Sequence, residues 1–198
     1  MVHGPSSWDQ SYLDGSPPWD IGRPQPAFVR VADRGQVRSP VLDSGCGTGE
    51  HALLFAERGF EVTGVDIAAP AIEAARAKAA QRGLSVTFEV ADVLALDRHG
   101  FATVLDNGVF HVFDDADRAR YVASLAAATR PGGMLYLQCF SDQEPGDDGP
   151  RRITQAELRA AFANGWRVLD IEATRIDVRP EFRLEPARAW FATIVRDA

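Results

Sequence analysis

The 198-residue chain is 45% hydrophobic and 25% charged, a balance that indicates one globular domain with a sizeable buried core. Its 28 acidic and 21 basic residues give a formal net charge of −7, which predicts repulsion from phosphate backbones and therefore no nucleic-acid partner. Two distant cysteines, Cys46 and Cys139, predict neither a disulfide framework nor a metal site, and with no signal-like or membrane-spanning apolar run a cytoplasmic protein without a membrane partner is expected.

The first 39 residues are predicted to form a helical arm that packs on the domain. Ser7 with Gln10 indicates the start of a short helix, and a second helix is expected from Pro26 to Gly35. The arm is too aromatic for a disordered tail. Its aromatic side chains are Trp8, Tyr12 and Trp19.

From residue 40 onward the pattern alternates strand and helix. Strands are predicted to end near residue 42 and to span 61–67, 86–90, 101–105 and 134–140. Helices are predicted over 52–58, 70–82 and 114–129, and the turn Pro131-Gly132-Gly133 should separate the last of them from the fifth strand. The alternation predicts a Rossmann-like α/β fold, a mostly parallel sheet with helices on both faces.

The end of the chain departs from this alternation. Thr154 and Glu157 form the sequence pattern of a capping box, for a helix that continues to residue 162. Strands over 167–176 and 189–195 follow with no helix between them, which predicts an antiparallel last pair in a seven-stranded sheet. The Gly/Asp/Pro-rich segment 141–150 is either a mobile lid or a long turn.

The segment Val41-Leu42-Asp43-Ser44-Gly45-Cys46-Gly47-Thr48-Gly49 carries the main functional signal. Glycine at every second position lets the backbone turn sharply and lets a ligand approach without a Cβ in the way. Such a loop lies at the carboxyl ends of the strands, where open α/β sheets bind ligands.

Acidic residues distinguish this loop from a dinucleotide site. Glu50 stands where a G-x-G-x-x-G fingerprint has its last glycine, and Asp43 would repel a pyrophosphate but attract a cation. Asp66 ends the second strand, where an acid commonly binds ribose hydroxyls, although it can equally cap a helix. Asp92 follows the third strand and can equally be a turn residue.

Residues 42–49 resemble motif I of the class I S-adenosylmethionine-dependent methyltransferases. The resemblance implies that this loop backs the methionine part of S-adenosylmethionine, with Asp43 near its amino group, directly or through water. It also implies contacts from the ends of the next strands. The implied cofactor residues of the loop and strand ends are Asp43, Ser44, Gly45, Cys46, Gly47, Gly49, Asp66, Ile67, Asp92, Val93, Asp106 and Asn107.

A second resemblance concerns the arm. The segment Pro17-Pro18-Trp19-Asp20-Ile21-Gly22-Arg23-Pro24, together with 105–111, resembles the thiopurine, thiol and halide methyltransferases. It implies that residues 1–39 close over the cofactor and that Trp19 and Gly22 help to form the site. A small-molecule methyl acceptor is then expected, in a single domain that is a monomer or weak homodimer.

Methyl transfer from a sulfonium requires orientation and exclusion of water more than a dedicated base. A thiol, halide, chalcogen or small aromatic hydroxyl is therefore the expected acceptor, and S-adenosylhomocysteine the expected product. His111 and Asp106 are the candidate catalytic residues, and His111 is the candidate base, although its neighbours Phe110 and Phe113 also allow a structural role. An NAD(P)-dependent oxidoreductase and a non-catalytic cofactor-binding module remain the alternatives.

Overall fold

The computed structural model describes residues 5–198. Its helices are α1 (Pro5–Leu13), α2 (Pro26–Asp33), α3 (Glu50–Glu57), α4 (Ala69–Arg82), α5 (Asp115–Ala128) and α6 (Gln155–Ala161). Its strands are β1 (Val41–Ser44), β2 (Val62–Asp66), β3 (Thr87–Val90), β4 (Phe101–Asn107), β5 (Thr129–Phe140), β6 (Trp166–Ile176) and β7 (Ala187–Arg196). Short 3₁₀ turns occupy Val93–Ala95 and Phe110–Val112.

The strands form one seven-stranded sheet in the order β3-β2-β1-β4-β5-β7-β6. Strands β1 to β5 are parallel, and β7 pairs antiparallel with both β5 and β6. The predicted fold, including the antiparallel last pair, is confirmed. Because β1 lies between β2 and β4, Ser44 at its carboxyl end is level with Val65 and Asp106 on its neighbours.

Apolar side chains cover the sheet on both faces. On one face α5 and α6 bury Leu125 and Leu158 in a cluster with the ring of Trp166. On the other face α2 and α3 bury Phe28 and Phe55 completely. Full burial of side chains of this size contributes about 1.5–3 kcal/mol each. Helices therefore occupy both faces, and the carboxyl edge of the parallel strands is covered only by loops and by the arm.

Most element boundaries differ from the sequence prediction by a few residues, and the two at α1 and β5 bear on its argument. Helix α1 is described from Pro5, so Ser7 lies inside the helix rather than at its start, and the hydroxyl of Ser11 donates to the Ser7 carbonyl. Strand β5 begins at Thr129, immediately after α5, so the predicted turn 131–133 lies inside the strand. There the β4–β5 register shifts, because Phe101 pairs with Thr129 but Thr103 pairs with Met134.

The capping box at the start of α6 is confirmed. The Glu157 amide donates to the Thr154 hydroxyl at 3.1 Å, and the Thr154 amide donates to the Glu157 carboxylate at 2.8 Å. Both bonds satisfy amides at a helix start that have no helical partner.

Segment 141–150, for which the sequence left two interpretations open, is held against the sheet. Buried Glu144 accepts from the Arg188 amide at 2.6 Å and forms an ion pair with Arg183. The indole Nε1 of Trp190 donates to Asp142 at 3.1 Å. These contacts favour a long anchored turn. In the described part of the chain, no helix combines the length and the apolar character needed to cross a membrane.

Candidate active site

The glycine loop joins β1 to α3 at the carboxyl edge of the sheet. Gly45, Gly47 and Gly49 have φ values of +68°, +52° and +86°, a region that residues with a Cβ rarely adopt. A Cβ at Gly45 would lie 2.2 Å from Cγ2 of Val109, and one at Gly49 would lie 2.8 Å from the ring of Phe88. The loop therefore requires glycine both for its backbone conformation and for its packing.

Asp66 holds the loop against β2. Its Oδ2 accepts from the Gly47 amide at 2.8 Å, and its Oδ1 accepts from the Ala68 amide at 2.9 Å. The side chain thus supports the start of α4, as the alternative interpretation proposed, and also the glycine loop. Burial raises the pKa of the carboxyl group, and these amide bonds oppose that rise. Each oxygen keeps a lone pair for a further donor.

Asp43 lies beneath the loop and is buried. Its Oδ2 accepts from the Ala52 amide in the first turn of α3, at 3.0 Å, and burial raises its pKa to about 7. The carboxylate is therefore directed into α3. Of the two possibilities that the sequence left open, contact through water fits this placement better than direct contact with a cofactor amino group.

Asp106, predicted to contact the acceptor, is also buried. Its carboxylate accepts from the amides of Val109 at 2.8 Å and Phe110 at 3.1 Å, and from the hydroxyl of Tyr121 at 3.1 Å. Burial raises its pKa to about 7. Because three donors from the protein surround the carboxylate, it holds the turn after β4 in place.

His111 is buried beside the end of β5, and its hydrogen bond argues against the predicted base. The amide of Phe140 donates to Nδ1 at 2.9 Å, so that the ring hydrogen of the neutral imidazole lies on Nε2. Burial and the nearby guanidinium groups of Arg152 and Arg118 lower its pKa to about 3. The ring can therefore donate from Nε2, but it has no lone pair available to accept a proton.

Asn107 brings an unpaired oxygen to the site. The residue ends β4 and lines a cavity of about 50 Å³ beside the glycine loop. Its Oδ1 is buried and has no hydrogen-bond partner. Buried polar atoms are almost always paired, so this oxygen indicates a position that a ligand donor fills.

The arm closes the other side of this cavity. The indole Nε1 of Trp19 donates to the hydroxyl of Tyr12 at 3.0 Å, and that hydroxyl lies 2.9 Å from the place of a Cβ on Gly47. Asp20 accepts from the hydroxyl of Thr48 at 2.9 Å. Trp19 is 43% exposed, so its ring lies outside the hydrophobic core.

The remaining predicted residues are spread around the same edge. The hydroxyl of Ser44 is 3.0 Å from that of Tyr121, and Cys46 is a buried free thiol that fills the turn. Asp92 is exposed and accepts from the Leu94 amide, as in the alternative turn interpretation. Three further predicted residues have no polar side chain: Ile67 is half-buried, Val93 is buried and Gly22 is exposed.

His51, which no sequence motif singled out, also lines the cavity from α3. Its Nε2 accepts from the main-chain amide of Gln25 at 3.1 Å, and burial lowers the pKa of His51 to about 4. Glu50 was considered only as the residue in place of a glycine. In the structure it binds Lys78 at 2.7 Å and Arg82 at 3.1 Å, and so ties α3 to α4.

Comparisons with known proteins place this site in a family. A family profile described as a methyltransferase domain matches residues 41–133. A 2-heptyl-1-hydroxyquinolin-4(1H)-one methyltransferase from Mycobacteroides abscessus is 38% identical over 169 residues, which are 83% of this chain and 74% of that protein. The chain is a class I S-adenosylmethionine-dependent methyltransferase. The family predicted from the sequence is thereby confirmed, and the NAD(P)-dependent oxidoreductase is set aside.

Solved structures agree with this assignment. One solved structure comes from work on the conversion of a disulfide bond into a thioacetal group during echinomycin biosynthesis. It is 35% identical to this chain at a TM-score of 0.91, and the match covers 98% of this chain and 94% of the other. A Burkholderia thailandensis 1,6-didemethyltoxoflavin-N1-methyltransferase, with 1,6-didemethyltoxoflavin and S-adenosylhomocysteine bound, is 27% identical at a TM-score of 0.76, with coverages of 98% and 87%.

The cofactor of the methyltransferase is S-adenosylmethionine, and the described side chains fit it. Gly45, Gly47 and Gly49 let a ligand approach the loop backbone without a Cβ in the way, and Asp66 has lone-pair capacity left for a hydroxyl donor. No group of three or more metal-ligating side chains occurs within residues 5–198.

Proposed function

We propose that the methyltransferase acts on a small molecule whose nucleophilic atom is anionic without help from the enzyme. The class comprises thiols, halides, chalcogen nucleophiles and small acidic aromatic hydroxyls. The observation that carries the proposal is the bond from the Phe140 amide to Nδ1 of His111, because it occupies the lone pair that a general base would need.

The other titratable side chains around the cavity support the same view. Asp43 and Asp106 are buried and bonded to amides of α3 and of the turn after β4. His51 accepts from the Gln25 amide. Asp20 also lines the cavity, and the Thr48 hydroxyl already donates to it.

The cofactor supplies the electrophilic methyl group on a sulfonium, and the protein orients the acceptor and excludes water. Asp66 and Ile67 are proposed to hold the ribose, and Asp92 and Val93 the adenine edge. Asn107 is proposed to lie beside the methionine part. The backbone proposed to support that part comprises Ser44, Gly45, Cys46, Gly47 and Gly49.

Residues 1–39 are proposed to act as an arm over the cofactor, within a single domain whose core spans 40–198. The cavity beneath the arm has a volume of about 50 Å³, whereas small-molecule sites typically have about 300–1,000 Å³. Because Tyr12 lies against Gly47, α1 and the loop with Trp19 and Gly22 must shift to admit a nucleoside. Limited proteolysis should then show faster cleavage of the arm without S-adenosylhomocysteine than with it.

The chemistry associated with two relatives is consistent with this acceptor class. The Mycobacteroides abscessus relative is named for a 1-hydroxyquinolinone, and the structural neighbour at TM-score 0.91 is described with sulfur chemistry. A hydroxyl on a ring nitrogen and a thiol both ionise far more readily than an alcohol.

A panel of acceptors tests the proposal. Turnover is measured with thiophenol, 4-nitrophenol, iodide and benzyl alcohol, each with S-adenosylmethionine. We expect methylation of the first three classes and none of the alcohol. For thiophenol, kcat/KM should rise with pH only up to the pKa of the thiol. Methylation of benzyl alcohol, or a rise controlled by an enzyme group that disappears in Asp20→Asn, would show that the enzyme supplies a base.

A further inference from the structure

Two side-chain oxygens on neighbouring strands are buried without hydrogen-bond partners. They are Oδ1 of Asn107, at the end of β4, and Oε1 of Gln138, near the end of β5. Gln138 is completely buried. Because native proteins pair nearly all buried polar atoms, two adjacent exceptions at the ligand-binding edge of a sheet require an explanation.

The two side chains lie on the same face of the sheet. Asn107 is the partner of Gln138 in the parallel β4–β5 register, and directly paired residues on adjacent strands point to the same side. The Gly108 amide also donates to the Gln138 main-chain carbonyl at 2.9 Å. The unpaired oxygens therefore lie on strands about 4.8 Å apart, next to the turn that follows β4.

The orientation of the Gln138 amide is fixed by a second bond. Its Nε2 donates to the Arg175 carbonyl on β6 at 2.9 Å. Since the amide nitrogen is committed to β6, the oxygen is the end that remains available, and it can only accept. A reversed side chain would place two oxygens against each other at Arg175.

The surroundings connect Gln138 to the wall of the cavity. Asp177, two residues after Arg175, exchanges two bonds with the Gln25 side chain, at 2.8 and 2.9 Å, and accepts from Arg23 at 2.6 Å. Gln25 and Arg23 line the cavity together with Asn107. Gln138 thus lies one strand beyond Asn107 and is bonded to Arg175, two residues before the Asp177 main chain that binds Gln25.

We propose that Asn107 Oδ1 and Gln138 Oε1 form a receptor for an N–H donor of the methyl acceptor. The acceptor class is then a small aromatic thiol or acidic hydroxyl that carries an N–H group beside the methylated atom. This inference rests on the proposed function and makes its substrate class narrower. Gln138 is the specificity-determining residue, because its amide orientation is fixed and it does not belong to the glycine loop.

The cofactor's ammonium group is the other possible source of an N–H donor, and the experiment separates the two. Wild-type enzyme, Gln138→Leu and Gln138→Met are assayed with 2-aminothiophenol and with 2-methylthiophenol, which has a similar size but no N–H. S-adenosylhomocysteine affinity is measured by calorimetry for each variant. Gln81→Leu, on the exposed face of α4, serves as the matched control.

We expect wild-type enzyme and Gln81→Leu to favour the aminothiol in kcat/KM by about tenfold, the worth of one hydrogen bond. Gln138→Leu or Gln138→Met should reduce that preference to about threefold or less, with S-adenosylhomocysteine affinity unchanged. A wild-type enzyme that methylates both thiols equally would overturn the inference while the proposed function stands. Loss of S-adenosylhomocysteine affinity in the Gln138 variants assigns the oxygens to the cofactor and also overturns it. If neither thiol is methylated, the proposed function fails for thiols and the inference fails with it.

Discussion

The amide of Phe140 donates to Nδ1 of His111 across 2.9 Å, in a buried position at the end of β5. This bond fixes the tautomer of the imidazole, and the same burial lowers its pKa to about 3. The ring is therefore neutral at neutral pH. Its hydrogen-bonding capacity is limited to donation from Nε2.

The pH dependence of stability tests this assignment. The pKa of His111 falls from its ordinary value of 6.5 to about 3 in the folded protein, so between these pH values the unfolded chain binds a proton that the folded chain does not. The contribution of His111 to the free energy of unfolding therefore falls as pH falls, by up to about 1.4 kcal/mol per pH unit. His111→Asn keeps an acceptor for the Phe140 amide but does not titrate. Urea unfolding from pH 7 to 4.5 should show wild type losing stability relative to the variant. A difference that stays constant with pH would mean that the folded imidazole takes up the proton.

A buried chain of hydroxyls joins the glycine loop to the turn after β4. Tyr121 donates to Asp106 and lies 3.0 Å from the hydroxyl of Ser44. Tyr121→Phe should cost about 1–2 kcal/mol of unfolding free energy, because it leaves a buried carboxyl group with one donor fewer. Ser44→Ala should cost less on its own.

Denaturant unfolding of the two single variants and the double variant measures their coupling. We expect a coupling of about 0.5–1.5 kcal/mol, since the hydroxyls share one network. Additive effects would indicate that the Ser44 hydroxyl does not bond to Tyr121 in solution.

The glycine loop provides a matched pair of substitutions. Gly45→Ala places a methyl group 2.2 Å from Val109 at a φ of +68°, whereas Gly59→Ala has a φ of +84° and no atom within 4 Å of the new methyl group. Each should lose about 1–2 kcal/mol of stability from the left-handed conformation. Only Gly45→Ala should also weaken S-adenosylhomocysteine binding, by about tenfold or more in calorimetry. Equal S-adenosylhomocysteine affinities in the two variants would show that the loop does not contribute to cofactor binding.

Asp66 is expected to contribute directly to cofactor affinity. Asp66→Asn keeps one acceptor oxygen but removes the charge, and hydrogen bonds to charged groups contribute about 1.5–3 kcal/mol. S-adenosylhomocysteine should therefore bind about 10- to 100-fold more weakly. Asp97→Asn, in an exposed loop, is the control and should bind as wild type does. An unchanged affinity in Asp66→Asn would assign this carboxylate to the loop alone.

Alternation of strands and helices, with a glycine loop flanked by acids, was sufficient to predict the sheet, its antiparallel last pair and the family. These features depend on local sequence, since hydrophobic period, capping residues and positive-φ glycines act within a few residues. The irregular start of β5 at Thr129 was not predictable in this way, because pairing with β4 overrides the Pro-Gly-Gly turn signal.

Amino-acid sequence by itself determined which residues reach the carboxyl edge: Asp43, Asp66, Asp106 and His111 were all placed there by the ends of predicted strands. Only the tertiary structure decided what their side chains do. Asp106 accepts from the Phe110 amide and from Tyr121, and His111 accepts from the Phe140 amide. The unpaired oxygen of Gln138 appears only when three strands come together. The physical reason is that hydrogen-bond partners and burial come from segments distant in sequence, and these contacts set the direction and protonation of a side chain.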